Sequence, residues 1–527
     1  MALEMVDDPQ DQKDYNENND SSGGRRSSGG GGIGGGGILN FLPLLLSLFG
    51  GGGSKKGIII LLLVVGGGYF LLKNQSCGNI ANAASAFAKG GTLDPDEFKK
   101  ASVYEGLSDD ATKNPLPEAV SLERFAPTRK NQGQQGSCVA WSSAYAARSI
   151  IESAGTATDP NTVAFSPAFL YNQIGLDGCQ GSYIIKAMQF MTEKGSVAFT
   201  DFPYNDQDCS RQPNGQMANN AMQHRMHGFN RLTEDDGVSN ISFRAIKEHL
   251  AKDAPVVIGM MVGGSFMQDM MGQKVWHPTN DDYSQVGFGG HAMCVIGYDD
   301  RIEGGAFQLM NSWGPEWGQN GIGYVRYADF KKFVREAYGV DPMPKTGAAL
   351  NIDFECSIGL INNDTKQYIP LKASAGNTFA STSAIKKGTK FKIEIKNAIA
   401  CYIYLFAENT TGSTFVLFPY KPIHSPYCGI TGTRLFPKSE SIRADENGNK
   451  DFMGIVVSKQ PLDYAAISNA INKSSQATFA GKLNEVISST AIKNVQYNNT
   501  NTGSIYFKAA ATETNNVVGC VVEINKQ

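Results

Sequence analysis

Three residues of this 527-residue chain, Cys138, His291 and Asn311, sit in settings that could support nucleophilic chemistry. Cys138 ends the loop Asn131-Gln132-Gly133-Gln134-Gln135-Gly136-Ser137 and opens a run of small and apolar residues reaching about Ser153, with Gly155 beyond it. That pattern predicts a buried helix with Cys138 in its first turn and its stop near Gly155. A helix N-terminus carries partial positive charge and unpaired N–H groups, and both favour thiolate, the nucleophilic form, over thiol. Taken alone, a cysteine among small residues is more often a core residue. His291 opens the strand-like run Gly289-Gly290-His291-Ala292-Met293-Cys294-Val295-Ile296, which turns at Gly297. A lone strand histidine is usually just packed. Asn311 alone would mean nothing, but it heads Asn311-Ser312-Trp313-Gly314-Pro315-Glu316-Trp317-Gly318, a highly specific Trp-Gly pattern.

Together the three segments resemble, in order, the cysteine, histidine and asparagine motifs of the papain (cathepsin) peptidase family. His and Asn lie slightly beyond the ~130–150 residues downstream of Cys that are usual there. The resemblance covers roughly residues 116–338. It includes Leu116-Pro117-Glu118-Ala119-Val120, similar to the start of a mature enzyme, as well as Ser166-Pro167-Ala168-Phe169-Leu170 and Asp201-Phe202-Pro203-Tyr204. It implies that Cys138 is the nucleophile and His291 the general acid/base. Asn311 would orient the imidazole, Trp313 would shield that bond, and Gln132 would serve as the oxyanion-hole amide. Gly181 and Ser182 fall where the family holds an extended substrate by its backbone. Cys179 and Cys209 fall where the family places disulfide cysteines; their customary partners look absent, so the two are expected to pair with each other, in an oxidising compartment. Cys294 is expected to be a buried structural thiol. Two departures are visible: Gln135 stands where a cysteine is common, and Gly290 stands where papain has aspartate. Neither removes a catalytic group. The long inhibitory pro-helix of many members is not recognisable between Cys77 and Pro115.

The elements that must position these residues follow from the pattern along the chain. The expected fold class is α+β: a papain-like two-lobed peptidase domain (a helical lobe plus a β-barrel-like lobe) over 116–345, then a β-sandwich-like accessory domain over 350–527. Residues 1–56 read as a disordered Gly/Ser-rich segment. Residues 57–72 read as a transmembrane helix just short of the usual ~20 residues, and 73–115 as a linker with one helical piece near Asp94–Ala101. The first apolar stretch, Ile38 to Phe49, is short and broken by Pro43. Arg25-Arg26 and Lys55-Lys56 precede the second run, and only Lys73 closely follows it. That asymmetry puts the peptidase on the extracytoplasmic side.

After about Gly347, alternating runs such as Lys390-Phe391-Lys392-Ile393-Glu394-Ile395 signal strands. Segments including Cys401-Tyr402-Ile403-Tyr404-Leu405-Phe406 and Val416-Leu417-Phe418-Pro419 resemble a bacterial domain of uncharacterised function. With one histidine, His424, and no metal-like cluster, this region is expected to be non-catalytic, with the loop between Tyr420 and Gly432 exposed and available to a protein partner. A net charge of -3 gives no basic surplus for nucleic acid. No C-x-x-C pair or H-E-x-x-H run supports a zinc site, and no cofactor is implied. The partners implied are a peptide or protein substrate and, through the apolar run, a membrane. Two other readings fit parts of the pattern. A non-catalytic peptide-binding relative is disfavoured because Gln132, Cys138, His291 and Asn311 are all filled. A transglutaminase-like acyl-transfer enzyme is disfavoured because it would want aspartate where Asn311 stands.

Overall fold

The structure is a computed structural model and describes residues 3–7, 90–343, 353–409 and 411–527. The apolar runs at 38–49 and 57–72 lie outside the described residues, as does Cys77. Among the described residues no helix is long and apolar enough to cross a membrane.

A cysteine-bearing helix and a long mixed sheet make the region over residues 116–343. The helix starts at Cys138, widens across Trp141–Arg148 and continues through Ser149–Thr156. It ends at Ala157 in the left-handed conformation, two residues past Gly155. Helices Pro167–Ile174 and Ile184–Glu193 pack beside it. The first of these starts where the Ser166 side chain accepts the Phe169 N–H with Pro167 in the first turn, a strong start signal. The sheet centres on the antiparallel strands Val256–Val262, Gly289–Asp299 and Ala306–Met310, with Met260 opposite His291 and Cys294 opposite Met310. Val256–Val262 is apolar throughout and buried at nearly every position, as a strand covered on both faces must be.

Residues 353–527 form two facing sheets. Phe391, Ile393 and Ile395 point into the sandwich core with Ile403, Leu405 and Ile455. Strand Cys401–Glu408 is apolar on both faces, and its second face, Tyr404 and Phe406, needs a cover. Two helices that the alternation pattern did not predict supply it. Tyr464–Lys473 is capped by Asp463 and Phe479–Ile487 by Thr478, and both lie on that outer face.

Three expectations are corrected. Residues 3–7, read as disordered, form an edge strand pairing with Glu440–Ala444, because Leu3 finds a buried place in the sandwich core that its own neighbours could not supply. Residues 90–115, read as linker, are packed: Phe98, Val103 and Leu107 are buried in grooves made by distant parts of the chain. The loop from Tyr420 to Gly432 is wedged against earlier parts of the chain, not exposed: Lys421 and His424 both pair with Asp236, and the Val103 N–H donates to the Ile423 carbonyl.

Candidate active site

The helix start at Cys138 abuts strand Gly289–Asp299 next to His291. The Ala292 N–H donates to Cys138 Sγ at 3.4 Å. Ser137 does not cap the helix with its side chain; its hydroxyl bonds Tyr204 at 2.6 Å instead. The first-turn N–H groups therefore face the sulfur, the arrangement that stabilises an anion.

Asn311 follows strand Ala306–Met310, which pairs with the histidine strand, so the register carries it to the imidazole. Asn311 Oδ1 accepts from the Ser312 N–H at 2.8 Å and faces His291 Nε2 at 2.8 Å. An oxygen already accepting there takes a hydrogen from Nε2, which fixes the tautomer and leaves Nδ1 for proton exchange. Trp313 stacks on the imidazole with centroids 4.4 Å apart. Gln132 is buried beside them: its Oε1 accepts from the Ser312 hydroxyl at 2.6 Å and its Nε2 donates to the Gln135 carbonyl at 2.9 Å. Tyr204 donates to the Gln132 carbonyl at 2.7 Å. Ser312 and Tyr204 were not singled out as site residues, although both lie within motifs read from the sequence. Each acts through a neighbour, not on a substrate. Cys179 and Cys209 form a disulfide beside the cleft, with Cα atoms 6.1 Å apart. Among the described residues no group of three or more His, Cys, Asp or Glu side chains is placed to hold a metal ion.

The chain's own residues 90–94 fill the cleft. Ser182 donates its N–H to the Gly90 carbonyl at 2.9 Å and accepts from the Thr92 N–H at 3.0 Å, a parallel bridge centred on Gly91. On the other wall the Gly91 N–H donates to the Gly290 carbonyl at 3.2 Å. Gly181, the neighbour of Ser182, bonds the Tyr171 hydroxyl through its N–H at 3.1 Å. Leu93 fills a pocket in which its Cδ2 would come within 2.4 Å of a Cβ built at Gly259. Beyond it the Asp94 N–H donates to Glu336 Oε1 at 3.0 Å. Under this cover Cys138 is fully buried, and burial pushes its thiol up to about 12 against the pull of the Ala292, Val139 and Cys138 N–H groups.

Residues 121–343 match the family model described as papain family cysteine protease. This part of the chain is thus similar to the papain family of cysteine proteases. It is 29% identical over 210 residues to cathepsin K of Mus musculus, a match covering 39% of this chain and 58% of that relative. Against cathepsin L2 of Homo sapiens it is 28% identical over 230 residues, covering 41% and 62% respectively. The chain thus spans less than two thirds of the length of these relatives. A solved structure of xylellain, a cysteine protease from Xylella fastidiosa, aligns with 49% of this chain and 97% of its own, at 21% identity and a TM-score of 0.39.

Glu336 is expected to make closure pH-dependent. Burial raises its carboxyl to about 7 from the ordinary 4.5. Opening the segment at Asp94 would hydrate it and return it toward the ordinary value. The closed form therefore binds more protons than the open form between those limits, so opening is favoured as pH rises from about 4.5 to 7. Hydrogen exchange at the Thr92 and Ser182 amides is expected to speed up over that window beyond the intrinsic base-catalysed rise, and Glu336→Gln is expected to remove the excess. An unchanged excess in Glu336→Gln would show that another group sets it.

Proposed function

We propose that the domain hydrolyses peptide bonds as a cysteine peptidase and that the chain with residues 90–94 in the cleft is its latent form. The observation that carries this reading is the joint placement of Cys138 at a helix start and of the Asn311-oriented, Trp313-covered imidazole of His291 beside it. Once the cleft is open, hydration lowers the thiol and His291 takes its proton. The thiolate then adds to the substrate carbonyl carbon, and the resulting oxyanion is stabilised by the Cys138 N–H and the Gln132 amide. Collapse breaks the C–N bond, and the imidazolium gives its proton to the leaving amine. Water, deprotonated by His291, adds to the thioester, and the thiolate departs. Gly181 and Ser182 would then hold the substrate backbone that residues 90–92 now displace.

The apolar run 57–72 supports a membrane anchor, with the basic residues before it on the cytoplasmic side and the peptidase across the membrane. The disulfide supports the same side, since such bonds persist in oxidising compartments. Loss of residues 100–527 to external protease in cells stripped of outer barriers is the expected result; protection would contradict this topology.

The activity is tested with a variant that opens the cleft, Gly90→Val, incubated with a diverse peptide library whose products are sequenced. New termini that disappear in the Cys138→Ala background are expected. A library recovered intact from a protein whose Cys138 reacts rapidly with iodoacetamide would leave a peptide-binding role and sink the peptidase reading.

A further inference from the structure

The segment that fills the cleft has its downstream flank attached to the C-terminal β region, and residues 3–7 of the same chain pair with that region too. Downstream, Val103 bridges two partners at once. Its N–H donates to the Ile423 carbonyl at 2.8 Å and its carbonyl accepts from the Ser425 N–H at 3.0 Å. On its other side the Tyr104 N–H donates to the Arg231 carbonyl at 3.1 Å and the Arg231 N–H donates to the Ser102 carbonyl at 2.8 Å, tying in the peptidase sheet. Arg434, fully buried, donates to the Glu105 carbonyl at 2.9 Å while also bonding Asn397 and the Ile430 carbonyl. The Ser108 N–H donates to the Thr433 carbonyl at 2.8 Å. Asn114 grips the same residue from both sides: its Nδ2 donates to the Thr433 carbonyl at 2.9 Å and its Oδ1 accepts the Thr433 N–H at 2.9 Å. Lys113 pairs with Glu394 on the same sheet. Upstream, strand Leu3–Asp7 pairs with Glu440–Ala444, with Glu4 on Arg443. Strands Gly432–Phe436 and Glu440–Ala444 both pair with Lys390–Asn397, so one sheet holds residues 3–7 and the downstream flank.

Glu394 and Lys392 lie on the face of this sheet that the downstream flank approaches. Both alternate with the core residues of Lys390–Asn397 and would face water in a free sandwich, yet they are 8% and 3% exposed. A strand face carrying buried charge needs partners: Glu394 finds Lys113 of the downstream flank beside Tyr368 of its own sheet, while Lys392 donates to the Lys438 carbonyl within the β region.

We propose that the C-terminal β region is the clasp of the latent peptidase: it binds residues 3–7 and 102–114 of its own chain and so keeps residues 90–94 in the cleft. This rests on the reading of those residues as a blocking segment. The segment is already tethered to the domain that follows it, and pinning residues 102–114 shortens the free length of that tether, which raises the effective concentration of the segment at the cleft. Loss of either attachment favours the open form.

The test is the rate of iodoacetamide alkylation of Cys138 in the full chain, read by mass spectrometry, with Cys294 and Cys520 as buried controls. Asn114→Ala is expected to raise the Cys138 rate about tenfold, as loss of buried hydrogen bonds should. Deletion of residues 1–7 is expected to raise it as well, with Cys294 and Cys520 still protected. If Asn114→Ala exposes Cys294 too, it has unfolded the protein, and the deletion decides the outcome alone. If Gly90→Val labels quickly while the deletion and a folded Asn114→Ala label as slowly as the parent, the segment blocks the cleft without a clasp and the proposal is overturned. The alkylation readout does not depend on hydrolysis, so a Gly90→Val protein that labels quickly but cleaves nothing would defeat the peptidase reading and leave the clasp standing.

Discussion

Peptide hydrolysis by the open protein is expected to fall by about 10⁴- to 10⁶-fold in Cys138→Ala, the range seen when a catalytic nucleophile is removed and only binding and oxyanion stabilisation remain. The change deletes one sulfur at a helix start and leaves the backbone N–H groups of Cys138, Val139 and Ala292 in place. Its structural cost is a small cavity, of about 1 kcal/mol, so the melting temperature is expected to move by only a few degrees. Rates measured in the Gly90→Val background separate chemistry from opening, because the parent chain hides the same sulfur. Asn311→Ala is expected to keep part of the activity, since Asn311 orients His291 and transfers no proton. Retention of full activity in Cys138→Ala would remove the nucleophile from the mechanism.

The grouping of the candidate residues was legible because each of them lies in a short local motif. Asn311-Ser312-Trp313-Gly314 carries its geometry in four consecutive residues, and the strand register between Ala306–Met310 and Gly289–Asp299 does the rest. The covering segment was not legible. Gly90 to Leu93 has no periodicity; it is recognised through backbone groups and one leucine, which no composition rule marks. The same holds for residues 3–7, whose partner strand lies more than four hundred residues away in sequence. The two helices over the second sheet could have been anticipated. Asp463 and Thr478 are good N-caps, and Tyr402-Ile403-Tyr404-Leu405-Phe406 is apolar on successive positions, which requires burial on both faces. The burial of the charged alternates Lys392 and Glu394 was not legible, because alternation alone cannot tell water from a polar partner.

Gly90→Val is expected to convert the latent chain into an open one. A Cβ at Gly90 would lie 2.1 Å from the Gly136 carbonyl oxygen, a backbone atom of the loop that delivers Cys138 and cannot swing aside as a side chain can. Forcing extra carbons into a fitted site costs about 1–3 kcal/mol. At about 1.4 kcal/mol per tenfold, that corresponds to roughly a 5- to 150-fold rise in the open fraction. Only the closed form bears the cost, since the segment meets Gly136 only when seated. Cys138 alkylation and peptide hydrolysis should therefore rise together. The thiol should also titrate lower, because the burial that now pushes it up to about 12 is relieved while the three N–H groups remain. Gly90→Ala should give a smaller effect in the same direction, its single carbon meeting the same oxygen. Equal protection of Cys138 in Gly90→Val and the parent would mean that residues 90–94 do not gate the sulfur, and that latency, where observed, has another source.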